Sequence, residues 1–298
     1  MVSVHHRFRT IDGHAVFYRE AGEPTAPTIV LLHGYPTSSF MFRHLVPLLA
    51  DRFHVIAPDH IGFGLSDAPS VDDFAYTFDA LTDVTEALLA ELGVDRYAIY
   101  VQDYGAPIGW RLALRRPQAI TAIVTQNGNA YDDGFVESFW APVTAYQREQ
   151  TPTTEAAIRE ALSLEAIRWQ YVTGVADPSL VDPDTWLHDH ALVSRPENDR
   201  AQLALLRDYA TNVDLYPRLH EYFRESQVPL LAVWGEGDEI FGPDGARAFA
   251  RDLPNAQIHL LPGGHFLLES ALEEVAGLIG DFLAQLPLRE VPVGAAAG

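Results

Sequence analysis

The chain of 298 residues is 48% hydrophobic and carries 41 acidic against 20 basic side chains, a formal charge of −21 with a sequence pI near 4.8. Such a field repels nucleic-acid phosphates and anionic membranes, so neither is expected as a partner, and the charge reads as a device for solubility. Without cysteine there is no disulfide, thiolate metal site or cysteine nucleophile; no apolar run approaches the ~18 residues of a membrane span and the first residues lack a signal-peptide core, so a soluble, cytoplasmic protein is expected.

Along the chain, short apolar runs alternate with amphipathic segments. Ala15–Glu20, Thr28–Leu32 and His54–Pro58 read as strands, followed by a helix over Phe78–Leu92 in which Leu81, Val84, Leu88 and Leu92 recur at helical spacing. A strand at Tyr97–Gln102, a helix at Ala106–Arg116 and a strand at Ile120–Thr125 continue the alternation, which predicts an α/β fold with a mostly parallel sheet flanked by helices. From Gly128 to Gln227 no buried strand is evident, and helical stretches are punctuated by Pro142, Pro152, Pro178, Pro183 and Pro196. An insertion of that length is expected to be a helical lobe with its own packing, not a loop. Strand and helix resume with a strand at Pro229–Trp234, a helix near Asp244–Asp252, a strand at Gln257–Leu261 and a last helix through Phe282. The expected organisation is a first part of the core over 1–127, a helical cap over 128–227, a second part of the core over 228–290 and a Gly/Ala-rich tail over 291–298.

The turn Gln102-Asp103-Tyr104-Gly105 falls between a strand and a helix, where a nucleophile elbow, usually written G-x-S-x-G, presents a serine. The chain has no G-x-S-x-G, and an aspartate stands at the apex. A serine there performs acyl transfer, whereas a carboxylate attacks a carbon bearing a leaving group and forms an ester. The chemistry shifts accordingly towards epoxides and alkyl halides. Such an ester needs a base to activate water, and the base needs a partner to hold its tautomer. His265, in Leu261-Pro-Gly-Gly-His265, and Asp238, in Trp234-Gly-Glu-Gly-Asp238, both follow strands, so all three residues fall at the sheet edge where open α/β folds bind ligands. Gly34 lets the backbone aim the Tyr35 amide at a developing oxyanion, beside the amide of Tyr104. The segment Asp59–Asp67 has two glycines of a dinucleotide fingerprint, but Asp67 takes the third position, so it reads as a structural turn. His188-Asp189-His190 and His5-His6 lack metal-motif spacing, and neither metal nor cofactor is expected.

At HGYPTSS, DHIGFGLSDAP, VQDYGAPIG and the closing GGHF the chain resembles the α/β-hydrolase superfamily, over about Arg9–Leu286. With an aspartate at the elbow it is most similar to the branch of haloalkane dehalogenases and soluble epoxide hydrolases. The resemblance implies an α/β-hydrolase fold with an inserted cap, a cis Tyr35–Pro36 bond and a small apolar organic substrate. Haloalkane dehalogenases hold the leaving halide with a Trp directly after the nucleophile and a second donor, a lid Trp or an Asn in the H-G-x-P segment. Tyr104 and Tyr35 stand at those positions here, leaving Trp140, Trp169 or Trp186 to supply one lid indole. Fluoroacetate-type dehalogenases carry arginines after the nucleophile, where this chain reads Tyr104-Gly-Ala-Pro107. Epoxide hydrolases use two lid tyrosines to polarise the ring oxygen; Tyr146 and Tyr209 are the expected pair, with Trp169, Tyr171 and Tyr216 as substrate contacts. The expectation is an epoxide hydrolase; a dehalogenase with a non-standard halide site and a non-catalytic ligand-binding protein are the alternatives.

Overall fold

The computed structural model describes residues 2–286, so the tail read at 291–298 lies outside the described residues. Eight strands form one sheet: β1 (His5–Ile11), β2 (His14–Ala21), β3 (Thr28–Leu32), β4 (His54–Pro58), β5 (Tyr97–Val101), β6 (Ile120–Gln126), β7 (Leu230–Gly235) and β8 (Gln257–Leu261). They lie in the order β1-β2-β4-β3-β5-β6-β7-β8, with β1 and β2 antiparallel to their neighbours and β3 through β8 mutually parallel. The parallel strands β3, β4, β5 and β7 are near-continuous apolar runs because both of their faces are covered. Truncating a fully buried strand residue such as Ile99 or Leu231 should cost ~2–5 kcal/mol.

Strand β1 was not anticipated. Its sequence, His-His-Arg-Phe-Arg-Thr-Ile, is exposed over most of its length and offers no apolar face to read. What fixes it is its pairing with β2 through Asp12 and Gly13, both at positive φ, as a two-residue hairpin turn requires.

In the core, α1 (Leu45–Leu49) packs against the last helix, and α2 (Phe78–Glu91) against α3 (Gly105–Arg115). Thr77 begins α2 by accepting the amide of Ala80 on its side chain, a standard N-cap. Between β6 and β7 stand six helices: α4 (Glu137–Arg148), α5 (Pro152–Glu160), α6 (Leu164–Val172), α7 (Asp184–Val193), α8 (Asn198–Asp208) and α9 (Ala210–Ser226). The prolines of this region mostly mark helix starts: Pro152 follows the Thr151 cap of α5 and Pro183 precedes α7, whereas Pro142 lies inside α4. α10 (Pro243–Ala248) and α11 (Leu272–Ala284) complete the chain.

Just past α6 the insertion meets the core through backbone alone. A Cβ on Gly174 would stand 2.3 Å from the Gly237 carbonyl oxygen, and one on Gly264 would stand 1.8 Å from that of Thr173. No helix among the described residues is long and apolar enough to cross a membrane.

Candidate active site

Asp103 sits in the turn between β5 and α3 with φ +47°, a left-handed conformation uncommon for a residue with a side chain. The elbow is closed by the amides of Gly105 and Ala106, which donate to the carbonyls of Gln102 and Asp103. Its carboxylate is buried, and Oδ1 accepts the amide of Tyr35 at 2.7 Å, with the amide of Tyr104 also donating to the carboxylate. Gly34 is what lets the strand-ending turn come so close, since a Cβ there would stand 2.5 Å from Asp103 Oδ1. The Tyr35–Pro36 bond is cis, as expected. Burial raises the pKa of Asp103, and His265 and the two amides offset that only in part.

The Asp59 turn explains why this loop is held. Asp59 accepts the amides of Ser39 and Leu65 on its two oxygens, and the amide of His60 donates to Nε2 of His33. The segment ties the Tyr35 loop to its own turn and has the structural role read from the sequence.

Asp238 and His265 follow β7 and β8. Nδ1 of His265 lies 2.8 Å from Asp238 Oδ2, so its hydrogen points at the aspartate and the neutral ring carries its lone pair on Nε2. Nε2 lies 3.9 Å from Asp103 Oδ2. Burial lowers the pKa of His265, but Asp238, and then Asp103, outweigh it and the net shift is upward. Asp238 also accepts from Asn127 Nδ2 at 2.7 Å and from the Ile240 amide at 2.8 Å. Asn127, at φ +50°, spans from Asp238 to the Gly235 amide, and Gln126 donates to the carbonyl of His265. Sequence reasoning missed these two, although polar residues ending the apolar run of β6 are a signal that can be read.

Aromatic rings close the space above Asp103. Tyr209, at the junction of α8 and α9, packs against Tyr104, Phe78 and Trp140 at centroid distances of 6.0, 5.7 and 4.6 Å. Its hydroxyl meets that of Tyr216, which also receives Asn129 Nδ2 at 3.4 Å. Burial, and for Tyr209 the neighbouring Tyr216 and Asp103, push both phenols upward.

The other expected cap residues lie elsewhere. Tyr146 is not brought to Asp103: it is six residues beyond Trp140 on α4, rotated well away from it, and the ionisable groups nearest its hydroxyl are Glu155, Arg207 and Arg159. The expected Tyr146–Tyr209 pair is not brought together; the hydroxyl that meets Tyr209 is that of Tyr216. Trp169 is 36% exposed and stacks on Phe139 in a surface groove shared with Ala161 and Ala166, which corrects its reading as a substrate contact. Tyr171 is buried against Phe266, 3.8 Å between centroids, and donates to the carboxylate of Asp189. Asp189, from the sequence His188-Asp189-His190, is pushed up to about 7 by burial. Among the described residues no group of three or more His, Asp or Glu side chains stands where it could hold a metal ion.

Comparison with known proteins places these features in a family setting. A family profile described as the alpha/beta hydrolase fold matches residues 27–272. An uncharacterized hydrolase of Saccharomyces cerevisiae is 41% identical over 283 residues, 94% of this chain and 97% of that protein. A cis-3-alkyl-4-alkyloxetan-2-one decarboxylase of Shewanella oneidensis is 28% identical, with 93% and 88% of the two chains covered. Among solved structures, the haloalkane dehalogenase DbeA from Bradyrhizobium elkani superposes with a TM-score of 0.77 at 28% identity, covering 95% of this chain and 99% of that one.

Proposed function

The chain belongs to the α/β-hydrolase fold family and is a hydrolase; on that footing we propose that it opens epoxides through an ester on Asp103, with helices α4–α9 acting as a cap. One observation carries the reading: Asp103 Oδ1 accepts the Tyr35 amide while Oδ2 faces His265. Oδ2 attacks a ring carbon, the carbon–oxygen bond breaks, and the ring oxygen takes the hydrogen of Tyr209, with the hydroxyl of Tyr216 alongside. Water then attacks Cγ of the ester while His265 Nε2 takes its proton. The negative charge gathers on Oδ1, already held by the Tyr35 amide, with the Tyr104 amide beside the carboxylate. Collapse releases the diol oxygen, which recovers the proton from His265. The carboxylic acid left on Asp103 returns its proton to the phenolate.

The indoles favour an epoxide over a halide. Trp110, Trp140 and Trp234 donate their N–H groups to the carbonyls of Asn129, Ile240 and Phe241, Trp169 lies at the surface, and Trp186 packs beside Tyr171 and under Arg168. Three of the five indole N–H groups are thus committed to backbone carbonyls, whereas the Tyr209 phenol, paired with that of Tyr216, stands near Asp103. The relative named for an oxetan-2-one, also a strained oxygen ring, keeps this class of electrophile in view. The dehalogenase reading draws its support from the likeness to DbeA. Halide release and diol formation, assayed on one panel of haloalkanes and epoxides, separate the readings: diol supports the proposal, halide alone overturns it in favour of a dehalogenase, and neither product points to a non-catalytic binding protein.

A further inference from the structure

We infer that Gln102 is a positioning residue for His265, its carboxamide serving Nε2 in both protonation states by donating from its nitrogen to the neutral ring and accepting on its oxygen from the cation. The contact rests on geometry alone; its kinetic consequence rests on the ester mechanism proposed above.

Gln102 follows β5, immediately before Asp103, and is fully buried. Its Nε2 lies 2.8 Å from His265 Nε2, and its Oε1 has no hydrogen-bond partner. Because Nδ1 of the ring is committed to Asp238, Nε2 of the neutral ring is a lone pair, and at 2.8 Å only a donor can face it. Once the ring takes a proton, Nε2 becomes a donor and must find an acceptor. A half-turn of the amide exchanges its nitrogen for the unpartnered oxygen, an exchange that neither a carboxylate nor an alkyl group can offer. Among the described residues no other side chain hydrogen-bonds Nε2. The charged groups facing the ring are Asp238 beyond β7 and Asp103 at the elbow. From β6 and the residue after it, the neutral Gln126 and Asn127 hold the His265 carbonyl and Asp238, and Tyr171 of the insertion is screened behind Phe266, with Asp189 beyond it.

In catalysis the amide yields the lone pair to the attacking water, then receives the N–H that results. A buried imidazolium is thereby given a partner without a permanent charge that would hold it protonated.

The test compares the parent with Gln102→Leu and Gln102→Glu by single-turnover kinetics and by ¹⁵N NMR of histidine-labelled protein. Gln102→Leu should slow ester hydrolysis ~10–100-fold, the loss expected from one hydrogen bond to a charged group, while ester formation keeps the parent's rate. Gln102→Glu, which when ionised only accepts, should move the acid limb of hydrolysis and the His265 titration midpoint upward by about one unit or more. The neutral Nε2 resonance should shift to a free-acceptor position in Gln102→Leu. Identical His265 titration midpoints in all three proteins would overturn the inference. If the parent forms no ester at all, the functional reading falls, and the NMR titration still decides the contact: shifted midpoints uphold it and unchanged ones refute it.

Discussion

The amide of Tyr35 donates to Oδ1 of Asp103 over 2.7 Å, so the two oxygens of one carboxylate have different surroundings before any substrate arrives. Oδ2 faces His265, and after its alkylation Oδ1 becomes the ester carbonyl oxygen, already in contact with the Tyr35 amide that stabilises it during hydrolysis. In a single turnover with excess enzyme in heavy-oxygen water, label should therefore enter the Asp103 carboxylate, read by peptide mass spectrometry. Label confined to the product would rule out the ester.

His265→Gln should form the ester and fail to break it, since alkylation needs only the carboxylate whereas hydrolysis needs a base. Intact-protein mass should rise by the mass of the epoxide. Wild-type turnover in this variant would remove His265 from the mechanism.

The base works only when neutral, and Asp238 and Asp103 raise its pKa despite burial. In the free enzyme, with Asp103 ionised, the His265 titration midpoint should accordingly lie above the ~6.5 of an ordinary imidazole, and alkylation of Asp103, which removes one of the two raising charges, should lower it. ¹⁵N NMR of the free enzyme locates the midpoint, and one at or below the ordinary value contradicts the assignment.

Tyr209→Phe combined with Tyr216→Phe keeps the rings and removes both hydroxyls, and should reduce epoxide opening by ~10²–10⁴-fold. Tyr146→Phe, whose hydroxyl faces Glu155, Arg207 and Arg159, should leave the same rate unchanged. Equal losses in both proteins would mean that the effect comes from packing.

Asp189 offers a stability test. Burial raises its pKa from 3.8 to about 7, so the folded protein holds this proton more tightly than the unfolded chain does. That contribution is complete below about pH 4 and is lost as pH rises through about 7, a difference on the order of 2–4 kcal/mol. Asp189→Asn cannot ionise and should be more stable than the parent at pH 8.5, with a smaller difference at pH 5. Denaturant midpoints measured at both values check this, and a difference independent of pH would refute it.

What could be read from the sequence were the candidate nucleophile, acid and base at strand ends. Asp103, Asp238 and His265 each follow an apolar run within a few residues, so their shared edge follows from topology alone. The insertion was legible as helical but not in its rotations, because helical spacing says which residues share a face without saying which neighbour that face meets. Tyr146 was misplaced for that reason. Tyr209 and Tyr216, seven residues apart and thus on one side of α9, carried the better signal. β1 escaped because an exposed edge strand held by its hairpin needs no apolar pattern. Gln102 escaped because a single polar residue closing an apolar strand looks like the start of a turn, and Gln126 and Asn127 because a polar strand end does not say which side chain it holds.

The backbone seam of Gly174, Gly237 and Gly264 sets where this pocket can be reshaped. With carbonyls in the places where side chains would stand, the spacing between the insertion and the turn bearing His265 is a fixed dimension that mutation can break but not tune. Variation in substrate size must then be absorbed at the opposite wall, by the rings that α4 and α9 hold over Asp103. A library aimed at larger epoxides should randomise Trp140 and Phe135, a residue just before α4, whose rings pack against Tyr209, and spare the glycines, which act as the datum from which the rest of the pocket is measured.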